Sequence, residues 1–278
     1  MTSPGPEPVE KVVVDETTEQ PRRTPRVLFT NDDGIGSEGI QVLTRAFKHE
    51  EYDLVVAAPA TEMSGSGTGI GRWDSGLGIE LKKVDLPGID EAYAVAGTPG
   101  LAVMAAALGA FGAAPDLVIS GINAGMNTGH SVIHSGTVGA VLTARTFGSH
   151  GLAVSLGYSG EWFWESAARI AVQAARWILS QSEKWVVLNV NVPGVPRSEL
   201  RGVRWAELDN FGVFRVATVD PVGNRLQFEV GGSRAGDDPN TDTYLCNANF
   251  VTLTPLSPIH PVSFPDVQAQ DLISLKDE

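Results

Sequence analysis

Short, predominantly apolar runs recur along this chain, and stretches with helical periodicity lie between them. Residues 26–30 (RVLFT), 52–58 (YDLVVAA), 116–120 (DLVIS), 152–156 (LAVSL) and 185–192 (WVVLNVNV) have apolar residues next to one another at their centres and few charges, none of them central. Such runs suit strands buried on both sides. After the first comes Ile40, Leu43, Ala46 and Phe47 on one helical face. Further helices are predicted over 101–111, 138–147 and 164–179, the last turning Ile170, Ala174, Trp177 and Ile178 inward. Strand–helix alternation of this kind predicts an α/β fold, a mostly parallel sheet flanked by helices on both faces. Residues 77–95, with Pro87-Gly88 between two short alternating stretches, read as a hairpin.

Three regions follow from texture. Residues 1–25 are rich in proline and acidic groups and predict a disordered tail, with order beginning near Arg26. Residues 26–196 form the α/β core. Residues 197–278 alternate in a β-like way, with a turn at Asp220-Pro221-Val222-Gly223, and predict a β-rich C-terminal arm. Trp205, Phe211, Phe214 and Phe228 have little to pack on within so thin an arm. This predicts contact with a partner protomer, in at least a dimer.

The first apolar run ends in Asn31-Asp32-Asp33-Gly34. Two readings are open for the acidic pair: a turn with a helix cap, or two oxygen ligands for a hard divalent cation. Three other loops follow strands or open helices and carry glycine or oxygen-bearing side chains: Ser64-Gly65-Ser66-Gly67, Gly121-Ile122-Asn123 with Asn127, and Ser135-Gly136-Thr137. Loops after parallel strands share one edge of the sheet, so these can converge there. Glycines and helix N-termini let backbone N–H groups approach a phosphate. Gly34, Gly36 and Gly39 also spell a dinucleotide-type spacing, but the carboxylates just before it would repel a pyrophosphate.

Composition narrows the partners. A formal net charge of −13 over 278 residues excludes a surface built for a nucleic acid polymer. A small phosphorylated substrate stays open, because a bound cation reverses the local field. Cys246 is the single cysteine, which excludes an intrachain disulfide and fits a reducing cytoplasm. No apolar run approaches the ~20 residues of a spanning helix, so no membrane partner is expected. The N-terminus lacks the apolar core of a signal peptide.

Taken together, VLFTNDDGIGSEGI (27–40), VVAAPATEMSGSG (55–67), AGTPG (96–100), DLVISGINAGMNTG (116–129), SGTVGAVLTAR (135–145), VLNVNVP (187–193) and TDTYLCNANFVTLTPL (241–256) resemble the SurE family of metal-dependent phosphatases, the 5′/3′-nucleotidases. The resemblance implies a divalent cation, Mg²⁺ or Mn²⁺, held by Asp32, Asp33, Ser64 and Asn123. It implies Asn31, Gly65, Asn127, Ser135, Gly136 and Thr137 around the substrate phosphate, with Asp32 and Asn127 as catalytic groups. It implies a Rossmann-like core, a C-terminal arm that joins protomers into a homodimer or homotetramer, and a phosphomonoesterase acting on a nucleoside monophosphate or another phosphorylated metabolite. The alternative is a protein that binds a phosphorylated ligand with little turnover. The chain departs from the family pattern at Gly67 and Gly71, where hydroxyl side chains are usual, and at Leu101, where an acid is usual. Those losses predict slow turnover of ordinary nucleotides and better turnover of a bulkier ester. His130 and His134 are candidate proton donors beside the phosphate, or loop histidines without a task.

Overall fold

The computed structural model describes residues 23–71, 78–181, 185–210, 216–222, 225–230, 238–257 and 259. The expected disordered tail lies, apart from residues 23–25, outside the described residues, as do Phe211 and Phe214.

The chain runs β1 (Arg26–Thr30), α1 (Glu38–Ala46), β2 (Asp53–Pro59), β3 (Leu81–Lys83), β4 (Glu91–Val95), α2 (Pro99–Ala107), β5 (Leu117–Ala124) and a 3-10 turn at Gly129–His134. It continues through α3 (Gly136–Thr146), β6 (His150–Leu156), α4 (Trp164–Leu179), β7 (Val187–Val192), β8 (Val203–Trp205), β9 (Val216–Val222), β10 (Arg225–Val230), α5 (Asp242–Asn247) and β11 (Val251–Pro255). Nine strands form one sheet in the order β3-β4-β2-β1-β5-β6-β7-β11-β8. From β4 to β7 every neighbouring pair is parallel. The α/β, Rossmann-like expectation is therefore met. Helices α1 and α4 pack together on one face and α2 and α3 on the other, and a separate buried cluster fills each interface. The hairpin over 77–95 is present, with β3 antiparallel to β4 and Leu86 bridged to Ile89 around Pro87-Gly88.

The chain builds β1, β2 and β4 outward in one direction, then returns through α2 to lay β5 on the other side of β1. Between β1 and β5 the direction of winding reverses. Such a switch point leaves a crevice beyond the carboxyl ends of the strands, where ligands of open α/β sheets bind.

Three expectations change. Helix α4 spans the predicted residues and buries Ile178 as expected, with Ile170 and Ala174 half-buried against the core, but Trp177 is 42% exposed at the rim against Trp205. Trp164, Ala167, Ala168, Ala171 and Ala175 make up the rest of the buried face, where the alanines let the helix approach the sheet closely. The turn expected at 220–223 starts too early, since Asp220 pairs with Gln227 and Pro221 with Leu226 in the β9–β10 ribbon. A proline needs no N–H partner on an edge strand. Finally, residue 196 is not a break in the sheet. Strand β11 pairs antiparallel with β7 and parallel with β8, so parts of the predicted arm finish the central sheet, while β9 and β10 form a separate two-stranded sheet.

Candidate active site

Strand β1 delivers Asn31, Asp32 and Asp33 to the switch point. Its neighbour β5 runs further than the sequence suggested, through Gly121-Ile122, whose peptide is cis, to Asn123 and Ala124. Asn123 thus arrives beside the acidic pair. From the opposite helical layer, α3 points its N-terminus at the same place. Ser135 caps that helix by accepting the Val138 N–H at 3.1 Å. The loop after β2 folds back over the carboxylates, tied by the Met63 N–H donating to Asp32 O at 2.7 Å.

Contacts within this crevice are close. The Thr137 hydroxyl donates to Asp32 Oδ1 and lies 3.3 Å from Asn123 Oδ1. A Cβ on Gly136 would stand 2.6 Å from Ser66 Oγ and 2.8 Å from both Asp32 Cβ and Asp32 Oδ2, so only glycine lets the helix start this close to Asp32. Burial pushes the Asp33 carboxyl up to about 6; the neighbouring Asp32 charge adds to the shift and the Ala124 N–H opposes it. Asp33 Oδ2 is buried with no hydrogen-bond partner among the described residues, and so is Ser66 Oγ. Two adjacent carboxylates with an oxygen left unpaired in a dry crevice make a costly arrangement unless a positive charge meets them. Among the described residues no three His, Cys, Asp or Glu side chains are placed to hold a metal ion together. The donor set is therefore two carboxylates with hydroxyl and amide oxygens, the hard-oxygen chemistry that suits Mg²⁺ or Mn²⁺.

The structure brings Asp32, Asp33, Asn123, Gly136 and Thr137 together. It places the other predicted residues differently. Asn31 is fully buried and uses its amide N–H groups on Gly34 O (3.0 Å) and Ser37 Oγ (2.7 Å), bracing the turn. Ser64 and Gly65 are exposed on the loop, and the enclosed hydroxyl is that of Ser66. Ser135 spends its hydroxyl on the helix cap. Asn127 donates through Nδ2 to Ser155 Oγ at 2.9 Å, and its backbone is clasped by β7. Asn191 Oδ1 accepts the Asn127 N–H at 2.8 Å, and Asn189 Nδ2 and Asn191 Nδ2 both donate to Asn127 O at 2.9 Å. Sequence reasoning missed this clasp, although asparagine at alternate positions of an apolar strand (VLNVNV) signals buried polar groups that need partners. His130 and His134 are both exposed on the 3-10 turn.

Two departures from the family pattern turn out to be packing requirements. Gly67 has φ +53°, and a Cβ there would meet Ile133 O at 2.7 Å; its N–H donates to His134 O at 3.2 Å. Leu101 is buried and folds over Gly97. At Gly67 and Leu101 local packing accounts for the residue present, while a Cβ at Gly71 would meet nothing within 4 Å.

Fold and site define an α/β protein with an oxygen-rich, acidic centre at the switch point, capped by a helix N-terminus. A profile described as "Survival protein SurE" matches residues 27–212. A 5′-nucleotidase SurE of Anaeromyxobacter is 37% identical over 256 residues, covering 90% of this chain and 95% of the relative. A 5′/3′-nucleotidase SurE of Cronobacter sakazakii is 33% identical over 254 residues, covering 90% and 95%. The crystal structure of a SurE protein from Aquifex aeolicus superposes with a TM-score of 0.71 at 26% identity, covering 84% of this chain and 94% of that one. The chain belongs to the SurE family.

Proposed function

We propose that this chain is a divalent-cation-dependent phosphomonoesterase whose first substrates to test are nucleoside 5′- and 3′-monophosphates, with other phosphorylated metabolites as the wider class. The observation that carries the reading is Asp33 Oδ2, buried and unpartnered beside Asp32 at the switch point. The nucleotidase names of the relatives support the substrate class.

Asp32, Asp33 and Asn123 would hold Mg²⁺ or Mn²⁺, with one hydroxyl of the covering loop as the further oxygen: Ser64, which the family resemblance implies, or Ser66, the one enclosed beside Asp32. When bound, the ion supplies positive charge to phosphoryl oxygens and acidifies water. The rest falls to the chain. Asp32, fixed by the Thr137 hydroxyl, orients an attacking water and accepts its proton. Gly136 and Thr137 carry first-turn N–H groups, which have no acceptor within a helix and meet phosphate oxygens at its positive end. Gly65 on the covering loop is the further backbone group open to a phosphate, whereas Asn127, its amide held by Ser155, supports the segment that follows β5.

Phosphate release from nucleoside monophosphates and a chromogenic phosphate ester, with Mg²⁺ or Mn²⁺ and then with chelator, tests the reading. Turnover that disappears with chelator and returns with the ion is expected. Turnover indifferent to chelator overturns the cation requirement. Tight binding without phosphate release establishes the ligand-binding alternative.

A further inference from the structure

One buried carboxylate lies outside the acidic centre and reaches it through the backbone. Asp242, the first residue of α5, is 0% exposed. Its Oδ1 accepts N–H groups from Thr243 (2.8 Å), Asp209 (3.1 Å) and Gly129 (3.1 Å), and lies 3.4 Å from the Thr243 hydroxyl; Oδ2 accepts the Gly129 N–H at 2.9 Å. No cation pairs with it among the described ion pairs. Burial raises its pKa, and these three N–H groups oppose the rise.

A helix start needs no such charge, since a neutral Ser, Thr or Asn oxygen caps as well. The contact that sets this carboxylate apart is with Gly129, 113 residues earlier in the chain. Gly129 opens the 3-10 turn that ends at His134, directly before Ser135, Gly136 and Thr137. The next N–H of the turn, His130, donates to Asp209 O at 3.0 Å, so the C-terminal segment holds two consecutive amides. At its far end the turn meets the loop over Asp32, where the Gly67 N–H donates to His134 O.

We propose that Asp242 is a positioning residue: by gripping the Gly129 amide it fixes the 129–134 turn, and through the turn it sets the α3 N-terminus against Asp32. The C-terminal segment thereby becomes part of the phosphate-binding apparatus. The consequence for turnover rests on the phosphomonoesterase reading; the grip itself does not.

Asp242→Asn weakens the Gly129 contact selectively. With its amide oxygen in the place of Oδ1, asparagine keeps the bonds from Asp209 and Thr243. Its NH₂ then faces the Gly129 N–H across 2.9 Å, donor against donor, which removes the shorter of the two Gly129 bonds and pushes the amide away from the 3.1 Å bond that remains. Removing a buried charge that has no ion-pair partner among the described residues also spares the fold its desolvation cost. The expected result is a fall in kcat/KM of tenfold or more with a melting temperature within about 3 °C of wild type. Hydrogen exchange at Gly129 and along 130–135 should quicken at least tenfold, while the Asp209 and Thr243 amides stay protected. Unchanged exchange at Gly129 overturns the grip. Faster exchange with unchanged turnover overturns the positioning role, and so does activity lost only in proportion to melting. If wild type releases no phosphate, the phosphomonoesterase reading fails while exchange still decides the grip. Should the variant not fold, native-state exchange on wild type decides: Gly129 must open together with Asp209 and Thr243, and a Gly129 amide exchanging over tenfold faster than that of Thr243 refutes it.

Discussion

Gly136→Ala is the most direct test of the crevice geometry. The new methyl carbon would stand 2.8 Å from Asp32 Cβ and Oδ2 and 2.6 Å from Ser66 Oγ. Ser66 Oγ ends a short side chain and can rotate away. Asp32 Cβ sits one bond from the main chain at the end of a central strand and cannot. Carbon–carbon contacts settle near ~3.5 Å, so α3 must retreat by about 0.7 Å from Asp32. Overpacking of this kind costs about 1–3 kcal/mol, against a gain of at most about 1 kcal/mol from replacing a helical glycine. Net stability should therefore fall by between about 0 and 3 kcal/mol. The retreat carries the Thr137 hydroxyl off Asp32 Oδ1 and the first-turn N–H groups off the phosphate. A misplacement near 1 Å costs about 10²-fold in rate. Phosphate-release kinetics beside a thermal melt read both quantities. Gly36→Ala is the control, because a Cβ there meets nothing within 4 Å and its effect should stay within about 0.5 kcal/mol. A Gly136→Ala enzyme with turnover within twofold of wild type would show that α3 does not set the catalytic geometry.

Asp33→Asn should abolish most Mn²⁺ binding by calorimetry while leaving the melting temperature equal or higher, since it relieves a buried like-charge contact; wild-type affinity would reduce the acidic pair to a turn. Burial, outweighing the nearby Asp116 charge, pushes the His150 imidazole below its usual pKa, and its Nδ1 accepts the Val186 N–H at 3.1 Å. The fold thus favours the neutral ring. That stability is present above the unfolded pKa of about 6.5 and is lost as pH falls through the lower folded value. Urea unfolding at pH 7.5 and 5.5 should show a pH-dependent loss that is smaller in His150→Leu, and an equal loss in the two proteins would refute it. On the edge strand β8, Val203 is 51% and Trp205 58% exposed, with Trp177 beside them. We expect this face to be covered by a second copy, so light scattering at micromolar concentration should report at least a dimer, and Trp205→Glu should shift it toward monomer.

The parallel order was legible because strands buried on both faces leave predominantly apolar runs. The acidic pair, Asn123 and the α3 start were legible because loops after parallel strands share an edge. What stayed hidden depends on partners distant in sequence. The place of Trp177 on α4 was misjudged by weighting size, when closeness to the sheet favoured Ala167, Ala171 and Ala175. Gly67 read as a lost hydroxyl until Ile133 O was seen across from it. Asp242 read as one more acidic residue in an arm, because nothing local announces that its carboxylate caps a turn so far upstream.

The position of β11 has a consequence for how the protein is made. Strand β7 is buried along its whole length, yet one of its edges is covered only when Val251–Pro255 pairs with it. Until then a growing chain holds a finished parallel sheet with an apolar, unpaired border, the kind of edge that recruits other strands. Closing that border joins segments distant in sequence, which slows folding. A nascent chain stalled before β11 should therefore be the species that aggregates and engages chaperones, and synthesis through Pro255 should release it.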